Sequence, residues 1–198
     1  MSPITHLFAS WVIAAKTTDN VRDRRLVALS GIAPDLDGAG IIVDFVRQAR
    51  HLSDDFWYFQ KYHHHLLHGI FGAVAIALIL ALFAQSRGRV FLLCLLAVHG
   101  HFLCDLLGSR GPEAHDLWPI HYLAPLSYHW TWVWKHQWAL DAWPNRLITL
   151  WLFAWILLLA LRLGDSPVGV FNRKADSVFI GVLRGWFCRA ISTVAHGP

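Results

Sequence analysis

Residues 69–84, GIFGAVAIALILALFA, carry no charged side chain along their whole length, and a chain with such a run has few places to put it. Two more runs follow. Residues 90–107 (VFLLCLLAVHGHFLCDLL) are apolar apart from His99, His101 and Asp105, and residues 147–161 (LITLWLFAWILLLAL) lie between Arg146 and Arg162. A transmembrane helix needs about 20 apolar residues, so each run spans a bilayer only with little tilt and with flanking Arg and Trp reaching to the interface. Composition agrees. Of 198 residues 56% are hydrophobic and 15% charged, against roughly 25% charged in an ordinary soluble domain. An extended disordered chain is excluded, and a membrane protein is indicated.

Two shorter apolar stretches, 4–15 and 26–33, precede these runs, and each is too short to span alone. The expected architecture is all-α: a multi-span helical membrane bundle of three clear transmembrane helices plus two shorter N-terminal helices. It divides into a membrane-embedded domain over 1–163 and a cytoplasmic or interfacial tail over 164–198, amphipathic around 178–187. Residues 1–15 show neither a basic n-region nor a small-x-small cleavage site, so insertion is expected to rely on uncleaved spans.

The net charge of +4 does not point to nucleic acid. Its basic residues sit in short pieces between apolar runs instead of clustering on one open face with aromatic platforms, so no nucleic-acid partner is expected. Arg87 and Arg89 in the short connection 85–89 place that turn in the cytoplasm. The basic segment 16–25 and the tail, with Arg173, Lys174, Arg184 and Arg189, join it there, and the ends at His68 and Asp105 then face the periplasm or exterior. Eight of the eleven Trp residues fall between Trp118 and Trp155, as an aromatic belt over one mouth of a bundle would place them. Cys94, Cys104 and Cys188 lack paired metal-ligand spacing and imply no disulfide framework.

Ionisable residues within membrane segments are costly and mark function. His101 and Asp105, four apart, share one helix face. His63 and His68 stand at the head of the 69–84 run, Asp35 and Asp37 end the second stretch in Ala-Pro-Asp-Leu-Asp-Gly, and His6 opens the first. In an up-down bundle those four ends meet at one face. Imidazoles and carboxylates gathered there suit a divalent cation, Zn²⁺ first, with Mn²⁺ or Fe²⁺ also compatible. Taken singly each piece has a plainer reading: a hydrogen-bonded His/Asp pair, a solvated interfacial His patch, an Asx-capped turn. Their convergence favours the metal, with His6, Asp35, His68, His101 and Asp105 as ligands and Asp37 and His63 as catalytic groups. His99, His115, His121, His129 and His136 fall outside this set.

Thr5-His6, Pro34-Asp35-Leu36-Asp37, the His63…His68 pair, His101-x-x-x-Asp105 with Gly111 downstream, and Leu123-Ala124-Pro125-Leu126-Ser127 together resemble the YdjM-like family over about residues 1–130. That resemblance implies an inner-membrane, metal-dependent hydrolase, described for some members as LexA-binding. The chain departs from the family's His-Arg-Gly-x-Thr-His third motif: His63-His64-His65-Leu66-Leu67-His68 keeps the end histidines and replaces Arg, Gly and Thr. The order of ligands is also similar, more distantly, to zinc-dependent phospholipase C and P1 nuclease sites. That likeness implies Asp35, His68, His101 and Asp105 on one metal and His6 on a second; the N-terminal amino ligand and later HxxxE motif of those enzymes are not evident.

The sequence thus supports an integral-membrane metal-dependent hydrolase. Its partners are the lipid bilayer, a small or amphiphilic substrate such as a phosphoester or ester, and, through the family label, a regulatory protein. Two other classes remain: a membrane metal or proton transport component, which three spans serve poorly without oligomerisation, and a non-catalytic membrane adaptor using the tail.

Overall fold

Ser2 begins the first helix. Its hydroxyl accepts the Thr5 N–H at 3.3 Å, and Pro3 occupies the first turn, where a missing N–H costs nothing. In the computed structural model, which describes residues 1–52, 55–63 and 65–195, this helix is α1 (Pro3–Thr17). α2 (Val21–Ser30) returns beside it after Asn20 caps its head through the Asp23 N–H at 3.0 Å. The Ser10 hydroxyl, 2.8 Å from the His6 carbonyl and 2.9 Å from that of Ala28, ties the two together. They close so tightly at Gly31 that a Cβ there would stand 2.2 Å from Ser10 Oγ.

Past Gly31 the chain enters a 3-10 helix (Ala33–Ala39) and then α3 (Gly40–Ala49), bent by 46° from α2. A six-residue helix, α4 (Trp57–Tyr62), hangs on α3 because the buried Asp44 carboxylate accepts the Tyr58 and Phe59 N–H groups at 3.1 and 2.8 Å. α5 (Ile70–Leu82) and α6 (Arg87–Gly108) form an antiparallel pair. Asp23 of α2 accepts the N–H groups of Gln85 and Ser86, filling the turn that leads into α6 with a carboxylate. A long connection carries an antiparallel ribbon, β1 (Ile120–His121) on β2 (Thr131–Trp132), before α7 (Trp143–Leu163). Gly164, at φ +69°, ends α7, and the tail forms α8 (Val168–Phe171) and α9 (Arg173–Ala195).

Three apolar clusters hold the helices. Trp11, Val12 and Ala28 pack on Leu152, Ile156 and Leu159, joining α1 and α2 to α7. Ala14, Val27, Ala77, Val90, Cys94 and Ala97 join α1 and α2 to α5 and α6. Around the site, Ala73 and Ile76 meet Val98, Phe102 and Ile120. The alanines let backbones approach closely, as bundle interiors in lipid favour.

The helical class stands, with fewer full spans than the apolar runs suggest. α6 and α7 are long and apolar enough to cross a membrane, and the bent pair Val21–Ser30 with Ala33–Ala49 makes up to three. The 69–84 run, expected to be the clearest span, yields a helix of 13 residues, about 20 Å by its rise and short of a hydrocarbon core of about 30 Å. Its head is spent on attachment: Gly69 is extended, and the Ile70 N–H donates to the Tyr122 carbonyl at 2.9 Å, docking α5 on the ribbon. Leu147, Leu150, Trp151, Phe153 and Leu158 of α7 are exposed, as are Leu92, Leu96 and Leu103 of α6, which leaves apolar faces for lipid.

Candidate metal centre

The α1 head, the 3-10 helix, the turn before α5 and the last turns of α6 meet at one end of the bundle. Each delivers buried polar side chains: His6, Asp35 and Asp37, His68, and His101 with Asp105. His6, His68, His101 and Asp105 are no more than 2% exposed.

At the centre, Nε2 of His68 and Nε2 of His101 lie 3.0 Å apart. The opposite nitrogen of each ring is already committed. His101 Nδ1 is 2.8 Å from the Gly31 carbonyl, and His68 Nδ1 is 2.9 Å from Asp37 Oδ2. Carbonyl and carboxylate oxygens only accept, so both Nδ1 atoms carry their protons, and the neutral rings aim two lone pairs at one another. Such a contact needs a positive charge between the rings. Carboxylates surround the same point: Asp105 Oδ2 is 3.0 Å from His101 Nε2 and 3.6 Å from His68 Nε2, and Asp35 Oδ1 is 3.7 Å from His101 Nε2. Asp35 Oδ2 is buried with no hydrogen-bond partner among the described residues. A divalent cation fits this donor set, since it would occupy the lone-pair contact and supply that orphaned oxygen with a partner.

A second set of donors lies on the far oxygen of Asp105. His6 Nε2 is 3.1 Å from Asp105 Oδ1, and its ring stacks on His101 with centroids 3.7 Å apart. The Ser109 hydroxyl donates to Oδ1 at 2.7 Å, and the Met1 amine donates to both Asp105 Oδ1 and Ser109. Asp105 therefore bridges the His68 and His101 pair on one oxygen and His6 on the other.

Electrostatics follow from this crowding. Burial works against a charged His68 ring, but the Asp105 and Asp37 carboxylates outweigh it and hold the His68 pKa up at about 9. Without a cation His68 keeps its proton. His6 shifts the other way: burial lowers its pKa, and His101 beside it adds to that.

Asp37 and His63 form the next layer. Asp37 Oδ1 lies 2.8 Å from His63 Nδ1, while Oδ2 takes His68 Nδ1 and the Leu67 N–H at 3.1 Å. Both of its oxygens are thus occupied in holding two imidazoles, the arrangement by which a carboxylate orients a metal-ligating histidine. His63 packs between Phe59 and Trp118, at ring distances of 4.6 and 5.4 Å, in the wall of a cleft of about 660 Å³. Asp35, Asp105, Ser109 and Arg110 also line it.

The structure thus brings together all seven residues singled out in the sequence. His99 is spent elsewhere, on the Leu95 carbonyl and the Tyr122 hydroxyl, and His121 stacks on His65, with burial first and His65 second lowering its pKa. The motif departure at His64 lies outside the described residues. Cys94 is buried, as a small apolar residue would be. Ser109 went unnoticed in the sequence although it continues the 101-105 series by four on the same helix face. The Gly31 carbonyl, the Met1 amine and Arg110 gave no such signal.

No curated protein and no solved structure matches the chain, so the likeness to phospholipase C and P1 nuclease sites rests on these residues alone. The family comparison is positive. The model of the YdjM inner membrane protein family matches residues 1–167, which takes in every helix that builds the site, and the chain belongs to that family.

Proposed function

We propose that this protein is a metal-dependent hydrolase of the inner membrane that cleaves a phosphoester or ester of an amphiphilic substrate. The observation that carries the reading is the lone-pair contact between His68 and His101, ringed by Asp105 and Asp35 on the wall of an open cleft. His68, His101, Asp105 and Asp35 would hold the cation, and His6, with a ligand nitrogen within 4.8 Å of the ligand atoms of Asp35, His101 and Asp105, stands close enough to join them. Imidazole and carboxylate together favour Zn²⁺, with Mn²⁺ or Fe²⁺ next. When bound, the cation supplies Lewis acidity and a water of lowered pKa.

The chain's own groups divide the remaining work. Asp35, which lines the cleft and would share in holding the cation, is placed to take a proton from a water there. His63, its Nδ1 fixed by Asp37, can orient the substrate or give a proton to the leaving group at Nε2. Phe59, Trp118 and Leu140 make the cleft's wall apolar, and Leu140 is shared with a neighbouring hollow of about 390 Å³ that reaches Leu150 on the lipid side of α7. An apolar wall and a second hollow beside a polar site suit a molecule with a polar head and an apolar tail.

The short basic turn at Arg87 and Arg89 sits at the opposite end of the bundle, so the positive-inside rule directs the site to the periplasmic side. In a Cys188→Ser background, a cysteine at Ala114 should react with an impermeant thiol reagent added outside intact cells, and one at Ser86 should not. The reverse pattern would put the site in the cytoplasm.

The decisive experiment compares wild type with Asp105→Asn in detergent, assayed on a panel of amphiphilic phosphoesters and esters with Zn²⁺ or Mn²⁺ added. Wild type should turn over at least one class, and Asp105→Asn should not. Equal inactivity of both, with a cellular phenotype only on deletion of 164–198, would replace the enzyme with an adaptor.

A further inference from the structure

At the end of the bundle opposite the metal centre, a hollow of about 270 Å³ opens between α2, α8 and the start of α9. Arg22, Arg25 and Arg173 line it together with Leu26, Leu29 and Val170. The acids nearby are already used. Asp165 takes Arg24 Nη1 at 3.1 Å on one oxygen and Arg25 Nη2 at 2.6 Å on the other. Asp176 accepts the Ser166 hydroxyl at 2.6 Å and its N–H at 3.1 Å, and Asp23 faces the turn into α6. Arg22 and Arg173 have no ion-pair partner among the described residues, and Arg25 Nε is buried with no hydrogen-bond acceptor among them. The hollow is therefore short of negative charge.

We infer that this hollow binds the headgroup of an anionic phospholipid. A phosphate there would neutralise Arg22 and Arg173. The apolar part of the wall separates a lipid from a free anion: Leu26 and Leu29 lie along α2, and Phe171, 67% exposed, stands at the rim. The hollow also sits where the span α7 ends at Leu163, the level at which headgroups meet a membrane protein. Basic pockets between helices at this depth recognise anionic headgroups by the same combination of charge and apolar wall. The site is separate from the hydrolytic reading and does not depend on it.

The test uses the full chain in a neutral detergent, with thermal unfolding followed as lipid is added. Phosphatidylglycerol should raise the midpoint, and phosphatidylcholine at equal concentration should not. The double variant Arg22→Gln/Arg173→Gln, at exposed positions without ion pairs and so expected to fold, should need about tenfold more phosphatidylglycerol for the same shift. Arg87→Gln, a basic residue at the same end but outside the hollow, should respond as wild type does. The inference is overturned if the double variant keeps the full response, if Arg87→Gln loses as much as the double variant, or if inorganic phosphate reproduces the phosphatidylglycerol shift.

Discussion

Arg24, Arg25, Asp165 and Asp176 at one end of the bundle, and His6, His68, His101 and Asp105 at the other, are two buried polar clusters in the same set of helices. In the first, opposite charges meet directly: both oxygens of Asp165 are taken by guanidinium groups, and Asp176 adds a second carboxylate to Arg25. In the second, acceptors meet acceptors: two imidazole nitrogens face each other, and carboxylates close in around them. The first cluster is finished in charge, both its carboxylates already paired with guanidinium groups, although Arg24 Nε and Arg25 Nε lack an acceptor among the described residues. The second is finished only by a cation, and the proton held on His68 is the cation available when no metal is bound. Buried polar groups thus signal function through their mismatch, more than through their number.

The sharpest way to break this comparison is to damage the finished cluster. Asp165→Asn leaves Arg24 and Arg25 without their shared carboxylate. Removing one partner of a buried pair costs about 3–5 kcal/mol, so the thermal midpoint should fall steeply. Zinc content of the purified variant should equal that of wild type; a loss of metal as well would show that the two ends are one cooperative unit.

Damage at the other end should be conditional on metal. Zinc at a free concentration of a hundred times Kd should stabilise wild type by about 3 kcal/mol, and a chelator should remove the gain. His101→Ala should show neither the gain nor bound zinc. A wild type indifferent to zinc would sink the metal centre.

A pH titration separates the clusters without mutation. In the metal-free protein, folding raises the His68 pKa from an ordinary 6.5 to about 9. Its contribution to stability is complete below pH 6.5 and is lost as pH climbs through 9, about 3 kcal/mol in all. His68→Gln should flatten that fall. Zinc reverses the trend, because binding must expel the proton: apparent affinity should rise with pH by up to tenfold per unit across the same window.

How much of this was legible beforehand depends on what fixed each position. His101 and Asp105 were legible because an α-helix puts i and i+4 on one face, and the meeting of four helix ends followed from counting up-and-down elements. The length of α5 was not, since no hydropathy pattern announces that Gly69 and Ile70 dock on the Tyr122 carbonyl. The separate duties of Asp35 and Asp37 were hidden for a geometric reason. They lie two apart on a 3-10 helix of about three residues per turn, so their side chains diverge. Spacing alone cannot say which of the two opens on the cleft and which turns inward to His63 and His68.

That division supplies the finest test. Asp37 touches His68 Nδ1 and His63 Nδ1 and does not line the cleft, so it acts by holding two rings. Asp37→Asn keeps the shape but takes away the charge that fixes the His68 tautomer, and losses of this kind weaken metal binding about 10- to 100-fold. His63→Gln removes a ring that lies beside the proposed ligands without being one. It should leave zinc affinity within about twofold of wild type while lowering turnover at saturating metal, by the 10²–10⁴ typical of a lost proton-transfer group. The two variants therefore separate along different axes, affinity for Asp37→Asn and rate for His63→Gln. If His63→Gln also lost its zinc, Asp37, His63 and His68 would form a metal-holding group of their own, which their ligand atoms, all within 4.8 Å of one another, are close enough to do.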